Sequence, residues 1–194
     1  MPIPRRRRSA PRRIGVVSGA AAVLALALSG CVGAPAPAPT PSPSTQAEPN
    51  FASDEEALAA AEAAYERFLI ASAEATGSGG TNVDALDEVA TGNAYEAQLE
   101  SAADYMEDNI RSIGQRSFAT HKLQSHTEIQ GRGAIVTFYA CDDLRGLDVV
   151  DAAGVSVVAP DRVVDVPYLI VVEGMSGALK VSEKDLWERE NFCS

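Results

Sequence analysis

The chain of 194 residues is 46% hydrophobic and 22% charged, with a mean hydropathy of −0.04, which excludes both a polytopic membrane protein and a wholly disordered chain. Its formal net charge of −11 divides unevenly, because six arginines precede residue 14 whereas all 27 acidic residues follow residue 47. Residues 14–194 contain 10 basic and 27 acidic residues and therefore carry a net charge of −17. Such a charge repels polyanions, so we predict no nucleic-acid partner.

Residues 1–30 have the three parts of an export signal. An arginine-rich start precedes an uncharged run of 15 residues at 14–28, and the small residues Ser29 and Gly30 follow it. The run is shorter than the roughly 20 residues that a helix needs to cross a membrane. We therefore predict a cleaved signal peptide, with an uncleaved signal anchor as the alternative and the choice between general and twin-arginine export left open.

The sequence Leu28-Ser29-Gly30-Cys31 resembles the lipobox of bacterial lipoproteins. That resemblance implies cleavage just before Cys31 and a diacylglyceryl group on its sulfur, with fatty acyl chains such as palmitate. Two acyl chains are enough for stable anchoring. We therefore expect a lipoprotein held at the extracytoplasmic face of the cell membrane.

Residues 31–50 combine the lipidated cysteine with a run rich in Pro, Ala, Ser and Thr. Alternating proline fixes φ and removes backbone donors, so this run should be an extended tether. At about 3.1 Å per residue it reaches roughly 60 Å. O-glycans or a recognition role are the alternatives to a plain spacer, and the folded body follows at residues 51–194.

Three helices are predicted at the start of the body. A capping box at residues 53–56 begins the first, which should end at the glycine-rich run 76–80. A short second helix is expected at 83–90. Helical spacing of apolar residues predicts a third at 93–113, with Gly114 as its stop.

After Gly114 the hydrophobic period changes to alternation, which predicts four strands, at 118–129, 134–141, 163–172 and 179–186. A small hairpin is expected at 149–158, with Gly154 at positive φ. Pro167 cannot donate to a ladder, so it should lie at a sheet edge or a bulge. Helices followed by consecutive antiparallel strands predict an α+β fold whose sheet lays one face on the helices.

This order of elements is similar to the cone-shaped fold of the nuclear transport factor 2-like (cystatin/ketosteroid isomerase-like) superfamily. The resemblance implies a curved sheet on which members often dimerise, and polar catalytic residues inside the cone, none of which maps onto this chain by motif. Together with the lipobox and linker, four segments resemble small secreted lipoproteins of high-GC Gram-positive (actinobacterial) type, of unassigned function. They are residues 139–143, 149–154, 157–162 and 187–193.

With Cys31 assigned to lipid, Cys141 and Cys193 remain as an even pair outside the cell, which predicts a disulfide. In the chain-entropy model, closing a loop of about 50 residues adds about 4 kcal/mol. A metal or redox site is the alternative, although Cys-x-x-Cys and zinc spacing are missing. We predict no metal and no cofactor.

His121 is the one candidate for acid-base chemistry, because on an unbroken strand it shares a face with Leu123 and Ile129 and would line the interior of the cone. The competing interpretation is a half-buried structural histidine with a backbone partner. His126 should face water. The aromatic side chains of Phe138, Tyr139, Tyr168 and Trp187 are expected to pack the core and its lid.

Acidic residues concentrate between the second and third strands, at Asp142, Asp143, Asp148 and Asp151. Calcium coordination is one interpretation, but an EF-hand spacing is missing and Arg145 interrupts the stretch. A solvated loop is the other.

The sequence thus favours a non-catalytic binding module anchored to the membrane through Cys31. Its partner would be a small apolar ligand or an envelope protein, and a homodimer through the sheet is a further possibility. The alternatives are an isomerase, dehydratase or hydrolase that uses His121, and a subunit of a cell-envelope or secretion assembly.

Overall fold

The computed structural model describes residues 49–193. The predicted signal peptide, Cys31 and the tether up to residue 48 lie outside the described residues, as does Ser194. Within the described part, the helices are α1 (Asp54–Gly77), α2 (Leu86–Val89) and α3 (Gly92–Glu107). The strands are β1 (Arg111–Gly114), β2 (Ser117–Ile129), β3 (Gly133–Asp143), β4 (Leu147–Val150), β5 (Asp165–Gly174) and β6 (Lys180–Leu186).

The four long strands form one antiparallel sheet in the order β2-β3-β5-β6, and β1 pairs with β4 in a separate two-stranded sheet. Helices come first and the curved sheet follows, so the predicted α+β class is confirmed. The helices lie on one face of the sheet, here named the inner face, and the opposite face is named the outer face. Every pairing in both sheets is antiparallel. Short connections account for this in β2-β3 and β5-β6, whose strands follow each other directly in the chain.

The capping box predicted at the start of α1 is present. The Ser53 hydroxyl accepts a hydrogen bond from the Glu56 amide at 3.2 Å, while the Glu56 carboxylate accepts one from the Ala52 amide at 2.7 Å. These bonds satisfy backbone donors at the helix start that have no partner within the helix. The helix then presents its buried side to the inner face of the sheet.

Large apolar side chains from α1 and from β3, β5 and β6 fill the space between the helices and the inner face. Each is at most 1% exposed: Tyr65, Phe68, Val136, Phe138, Ile170, Val172 and Val181. Burial of this apolar surface is the main force that holds the helices on the sheet. The interior beneath α1 is therefore a packed core.

The prediction that α3 continues to residue 113 is wrong, because the helix ends at Glu107. Asn109 takes a left-handed φ of 53°, its amide bonds to the Met106 carbonyl, and the Ile110 amide reaches the Tyr105 carbonyl at 3.1 Å. This is a Schellman ending with asparagine in the position that glycine usually holds. The residues after it are thereby free to form β1.

The predicted hairpin at 149–158 is present as a turn, with Gly154 at a φ of 81° and the Asp151 amide bonded to the Val155 carbonyl. Its first strand, β4, pairs along its length with β1, a partner that the sequence pattern did not reveal. The second predicted helix is present but shorter than expected.

The prediction that Pro167 lies at a sheet edge or a bulge is also wrong, since β5 is an inner strand. The Pro167 carbonyl accepts a hydrogen bond from the Trp187 amide, which places its nitrogen on the β6 side, one residue beyond the end of β6 at Leu186. A residue in a strand directs its nitrogen and its carbonyl to the same neighbour. The missing donor therefore costs only a terminal bond of the ladder.

Candidate functional site

Two register shifts in β2 decide where its histidines lie. The pairing with β3 slips between Thr120 and Lys122 and again between Leu123 and Ser125. Each bulge adds a residue and reverses the alternation of faces that follows. A strictly alternating pattern therefore assigns the wrong face to part of this strand.

His121 and His126 both differ from expectation for this reason. His121 is exposed on the outer face, with its ring centroid 4.7 Å from that of Phe192, so the prediction that it lines the interior is wrong. Within residues 49–193, no hydrogen bond to its ring is formed. His126 instead faces inward opposite Val136, and its side chain is 9% exposed, so the prediction that it faces water is wrong as well.

A groove lies between α1 and the segment 112–118, and it is named here the α1 groove. It has a volume of about 680 Å³. Its apolar wall consists of Leu69, Ile70, Ala73, Ile113 and Phe118, and its charged residues are Glu66, Glu74 and Arg116. Ile70 and Ile113 of this wall are 54% and 39% exposed.

Beyond Phe118, the inner face carries a buried polar cluster. The Tyr65 hydroxyl donates to Asp142 Oδ1 at 2.7 Å, and Lys184 Nζ donates to Asp142 Oδ2, also at 2.7 Å. Asp142 is fully buried and the Lys184 side chain is 10% exposed. Asp142 is thus neither a calcium ligand in a loop nor a solvated acid, because it lies on the same face of β3 as Phe138.

The environment of this cluster shifts its proton affinities. Burial lowers the pKa of Lys184 to about 8, and the nearby positive charge of Arg116 lowers it too, against the attraction of Asp142. Burial, followed by the negative charge of Asp142, raises the pKa of Tyr65 well above its ordinary value. The Lys184 amine also lies 4.0 Å from the centre of the Tyr168 ring, whose hydroxyl has a pKa raised by burial.

The outer face is covered at one end by the C-terminal tail, residues 187–193. Cys141 and Cys193 are joined by a disulfide with their Cα atoms 5.5 Å apart. Trp187 and Phe192 of the tail meet Tyr139 with ring centroids 5.1 and 5.6 Å away, at interplanar angles of 84° and 79°. Tyr139 and Trp187 therefore form an outer cluster, and the expectation that they pack the core is wrong for Tyr139.

These tail residues enclose a second concavity of about 420 Å³, named here the tail pocket. Lys122 and Arg189 supply positive charge, at 5.4 Å from the Tyr139 ring centre and 5.3 Å from that of Trp187. Sequence analysis did not find this pocket, although one signal existed. Cys141 is out of phase with Phe138 and Ala140 on β3, so a disulfide at Cys141 must bring the tail to the outer face.

The other acidic residues between the second and third long strands each form an ion pair or hydrogen bonds with nearby residues. Asp143 and Asp165 bind Arg145, Asp148 accepts from the Val149 amide and the Ser156 hydroxyl, and Asp151 accepts from backbone amides in the turn that follows it. Across residues 49–193, no three His, Cys, Asp or Glu side chains converge as a metal site would require. In the same part of the chain, no helix has the length and apolar character of a membrane span.

One further polar group lies where the tether meets the body. Glu128 accepts hydrogen bonds from the side chain and the backbone amide of Asn50 at 2.7 and 3.0 Å, and from the Phe51 amide. His126 lies between Glu128 and Asp54, with a nitrogen about 3 Å from each carboxylate. The Asn50 bonds lower the pKa of Glu128 to about 2. This group fastens the first described residues to the end of β2.

No family model and no curated protein matches the chain. Among solved structures, it is similar to the intermembrane space region of chloroplast protein ARC6, with 16% sequence identity and a TM-score of 0.42. The likeness covers 65% of this chain and 92% of that one. None of these comparisons assigns a function to the chain.

Proposed function

We propose that this protein is a lipid-anchored, extracytoplasmic binding protein of actinobacterial type, whose body holds a small apolar molecule in the α1 groove. The observation that carries the binding role is the groove itself. Its volume of about 680 Å³ lies within the roughly 300–1,000 Å³ typical of sites for small molecules. Its lining combines the five apolar side chains with three charged residues and with Ser112, Gln115 and Ser117, and the apolar side chains supply the contact surface that such sites use.

The exposure of Ile70 and Ile113 supports an apolar occupant. Both side chains keep part of their surface in water although the core beneath them is filled, and completing the burial of one of them is worth about half of the roughly 1.5–3 kcal/mol that full burial brings. An apolar molecule seated in the groove removes both from water at once. The half-buried guanidinium of Arg116 offers a polar contact at one end.

The anchoring role rests on the sequence of residues 1–50, in which a lipobox cysteine follows a short apolar run and precedes a proline-rich tether. We likewise propose that the body belongs to the nuclear transport factor 2-like superfamily, for which the order of helices and strands is the support. The alternative of an enzyme that uses His121 in the cone loses its geometric basis, because His121 lies on the outer face.

The binding role can be tested by methyl NMR on the full chain, held in a detergent that has no sugar or aromatic headgroup. Added naphthalene should shift the δ1 methyls of Ile70 and Ile113 through its ring current, while Ile129 and Ile170 serve as internal controls. Ala73→Phe fills the groove and should abolish the shifts, whereas Ala59→Phe, on an exposed position of α1, should preserve them. Shifts that survive Ala73→Phe, or that are absent from the native chain, contradict the proposal.

The anchoring role has a separate test. In cells, the native chain should fractionate with membranes, and mass spectrometry of its N-terminal peptide should show diacylglyceryl and acyl groups on Cys31. Cys31→Ser should release the protein or leave it unprocessed with its signal peptide. An unmodified Cys31 in the mature native protein would overturn lipid anchoring and leave the binding role standing.

A further inference from the structure

We propose that the tail pocket is a second, independent binding site, and that its ligand is a neutral saccharide. The pocket does not touch the α1 groove, since it lies on the outer face and is built by β2, β3 and the tail. Six of its residues carry the argument: His121, Lys122, Tyr139, Trp187, Arg189 and Phe192. The seventh, Glu190, adds a carboxylate.

The geometry of the aromatic rings favours a saturated ring over a flat one. Trp187, Tyr139 and Phe192 meet pairwise at 62° to 84°, so they do not form the two parallel walls between which a planar aromatic molecule would stack. A pyranose ring presents C–H groups in several directions, and these pack against aromatic faces set at different angles. The pocket thus offers apolar contact of the kind that a sugar ring can use.

The polar groups of the pocket fit hydroxyls. A sugar hydroxyl both donates and accepts, and the pocket supplies donors in Lys122 and Arg189 and an acceptor in the carboxylate of Glu190. Because both signs of charge are present on a body whose 10 basic and 26 acidic residues give a net charge of −16, an anionic ligand gains little there. The mixture favours a neutral polyhydroxyl ligand.

The side chains of Lys122 and Arg189 are held in place before a ligand binds. Each lies against an aromatic ring of the pocket, at 5.4 Å for Lys122 and 5.3 Å for Arg189, and such contacts limit the freedom of a long side chain. Within residues 49–193, neither forms a salt bridge, whereas Arg145 and Lys184 do. Their donors are therefore held at the pocket and available to a ligand.

The disulfide explains how a seven-residue tail without helix or strand can form one wall. Cys193 fixes the end of the tail to β3, and the Trp187 amide fixes its start to the Pro167 carbonyl at 2.9 Å. A wall ordered before binding loses less conformational entropy when the ligand arrives. The pocket should consequently disappear as a binding site when the disulfide is removed.

The experiment exploits the fact that Trp187 is the single tryptophan of the chain, so intrinsic fluorescence reports on the pocket alone. The full chain, in a detergent without a sugar headgroup, is titrated with chitotetraose, maltotetraose and mannotetraose. Tetragalacturonate tests for an anion site. Indole-3-acetate tests for a slot for flat aromatic molecules, and its binding is followed by the broadening of its own NMR signals because it fluoresces like tryptophan. We expect a saturable change in emission with at least one neutral tetrasaccharide, and weaker binding of both other probes.

Variants connect the signal to the polar groups. Arg189→Gln and Glu190→Gln should each weaken saccharide binding about ten- to hundredfold, the usual effect of losing one hydrogen bond to a charged group. The matched controls Arg132→Gln and Glu96→Gln, on exposed positions outside the pocket, should leave it unchanged. Cys141→Ser with Cys193→Ser should abolish binding while circular dichroism shows that the sheet is retained.

Three results would overturn the proposal. They are no response to any neutral tetrasaccharide, tighter binding of tetragalacturonate or indole-3-acetate than of all three, and equal losses in the pocket and control variants.

Discussion

The two faces of the four-stranded sheet use polar residues in opposite ways. On the inner face, Asp142 is fully buried and each of its carboxylate oxygens has a donor at 2.7 Å. On the outer face, Lys122 and Arg189 lie against aromatic rings at an open pocket. The carboxylate of Asp142 and its two donors satisfy one another, whereas Lys122 and Arg189 form no salt bridge within residues 49–193.

The inner and outer polar clusters therefore have different roles in the body. A buried polar cluster with all partners in place contributes to stability and to a unique packing arrangement, and it offers no free group to a substrate. The outer cluster is only partly buried, and we propose it as a binding site, whereas the inner cluster stabilises the fold.

The largest expected effect comes from breaking the inner cluster. Asp142→Asn keeps the shape of the side chain but leaves the Lys184 ammonium without its counter-charge in a buried place, and we expect a loss of about 3–5 kcal/mol in the free energy of unfolding. Urea unfolding followed by circular dichroism measures it.

Asp143→Asn is the matched control for that variant. Asp143 is the next residue along β3 and pairs with the exposed Arg145, so its replacement should lower the free energy of unfolding far less than Asp142→Asn does. Similar losses from the two variants would contradict the contrast between buried and exposed acids. In a double variant with Lys184→Met, part of the Asp142→Asn loss should be recovered, because no unpaired ammonium remains.

On the outer face, the largest effect is expected from removing the disulfide. Cys141→Ser with Cys193→Ser should lower the free energy of unfolding by about 2–4 kcal/mol, because 52 residues separate the two cysteines and the unfolded chain gains freedom. Trp187 emission should also shift to longer wavelength as the tail leaves the sheet. An unchanged emission spectrum would show that aromatic contacts alone hold the tail.

The sequence predicts the features of this fold that depend on the types of a few neighbouring residues or on the number of cysteines. The capping box of α1, the positive φ at Gly154 and the pairing of the two remaining cysteines follow from residue types alone. The face of Asp142 could also have been predicted, since the alternation of Phe138 and Ala140 on β3 continues two residues further. The predicted strand ends at residue 141, whereas β3 continues to Asp143, so Asp142 was expected in a loop.

Other features depend on tertiary structure and leave no local trace. The two bulges of β2 reverse the faces of His121 and His126, yet neither bulge is marked by glycine or proline. Asn109 ends α3 although helical spacing of apolar residues continues to residue 113, because the strand β1 then gains β4 as a partner. The tail pocket needs the disulfide, the β2 register and the end of β6 together.

A smaller effect is expected from the titration of Lys184. Because its pKa is lowered to about 8 from an ordinary value of 10.5, the unfolded chain holds more protons than the folded one between these two pH values. This lysine therefore makes the free energy of unfolding rise as the pH increases from about 8 to 10.5. NMR of the Lys184 ε carbon should show a midpoint near 8, and Arg116→Gln should raise it. A midpoint near 10.5 in the native chain would show that the inner cluster is open to water.

The smallest effect is expected at the exposed end of the inner face, where Glu128 holds Asn50. Its pKa is lowered to about 2 from 4.5, so the stability that it contributes is present above pH 4.5 and is lost as the pH falls from 4.5 to about 2. NMR titration of its carboxyl carbon measures this directly, and Asn50→Ala should return the midpoint partway toward 4.5, because the side-chain bond that lowers the pKa most is removed while the backbone amide of residue 50 remains. If the midpoint in the native chain already lies near 4.5, Asn50 is not held at Glu128 in solution. The beginning of the body would then be free of β2, and the inner face would be closed only at its Asp142 end.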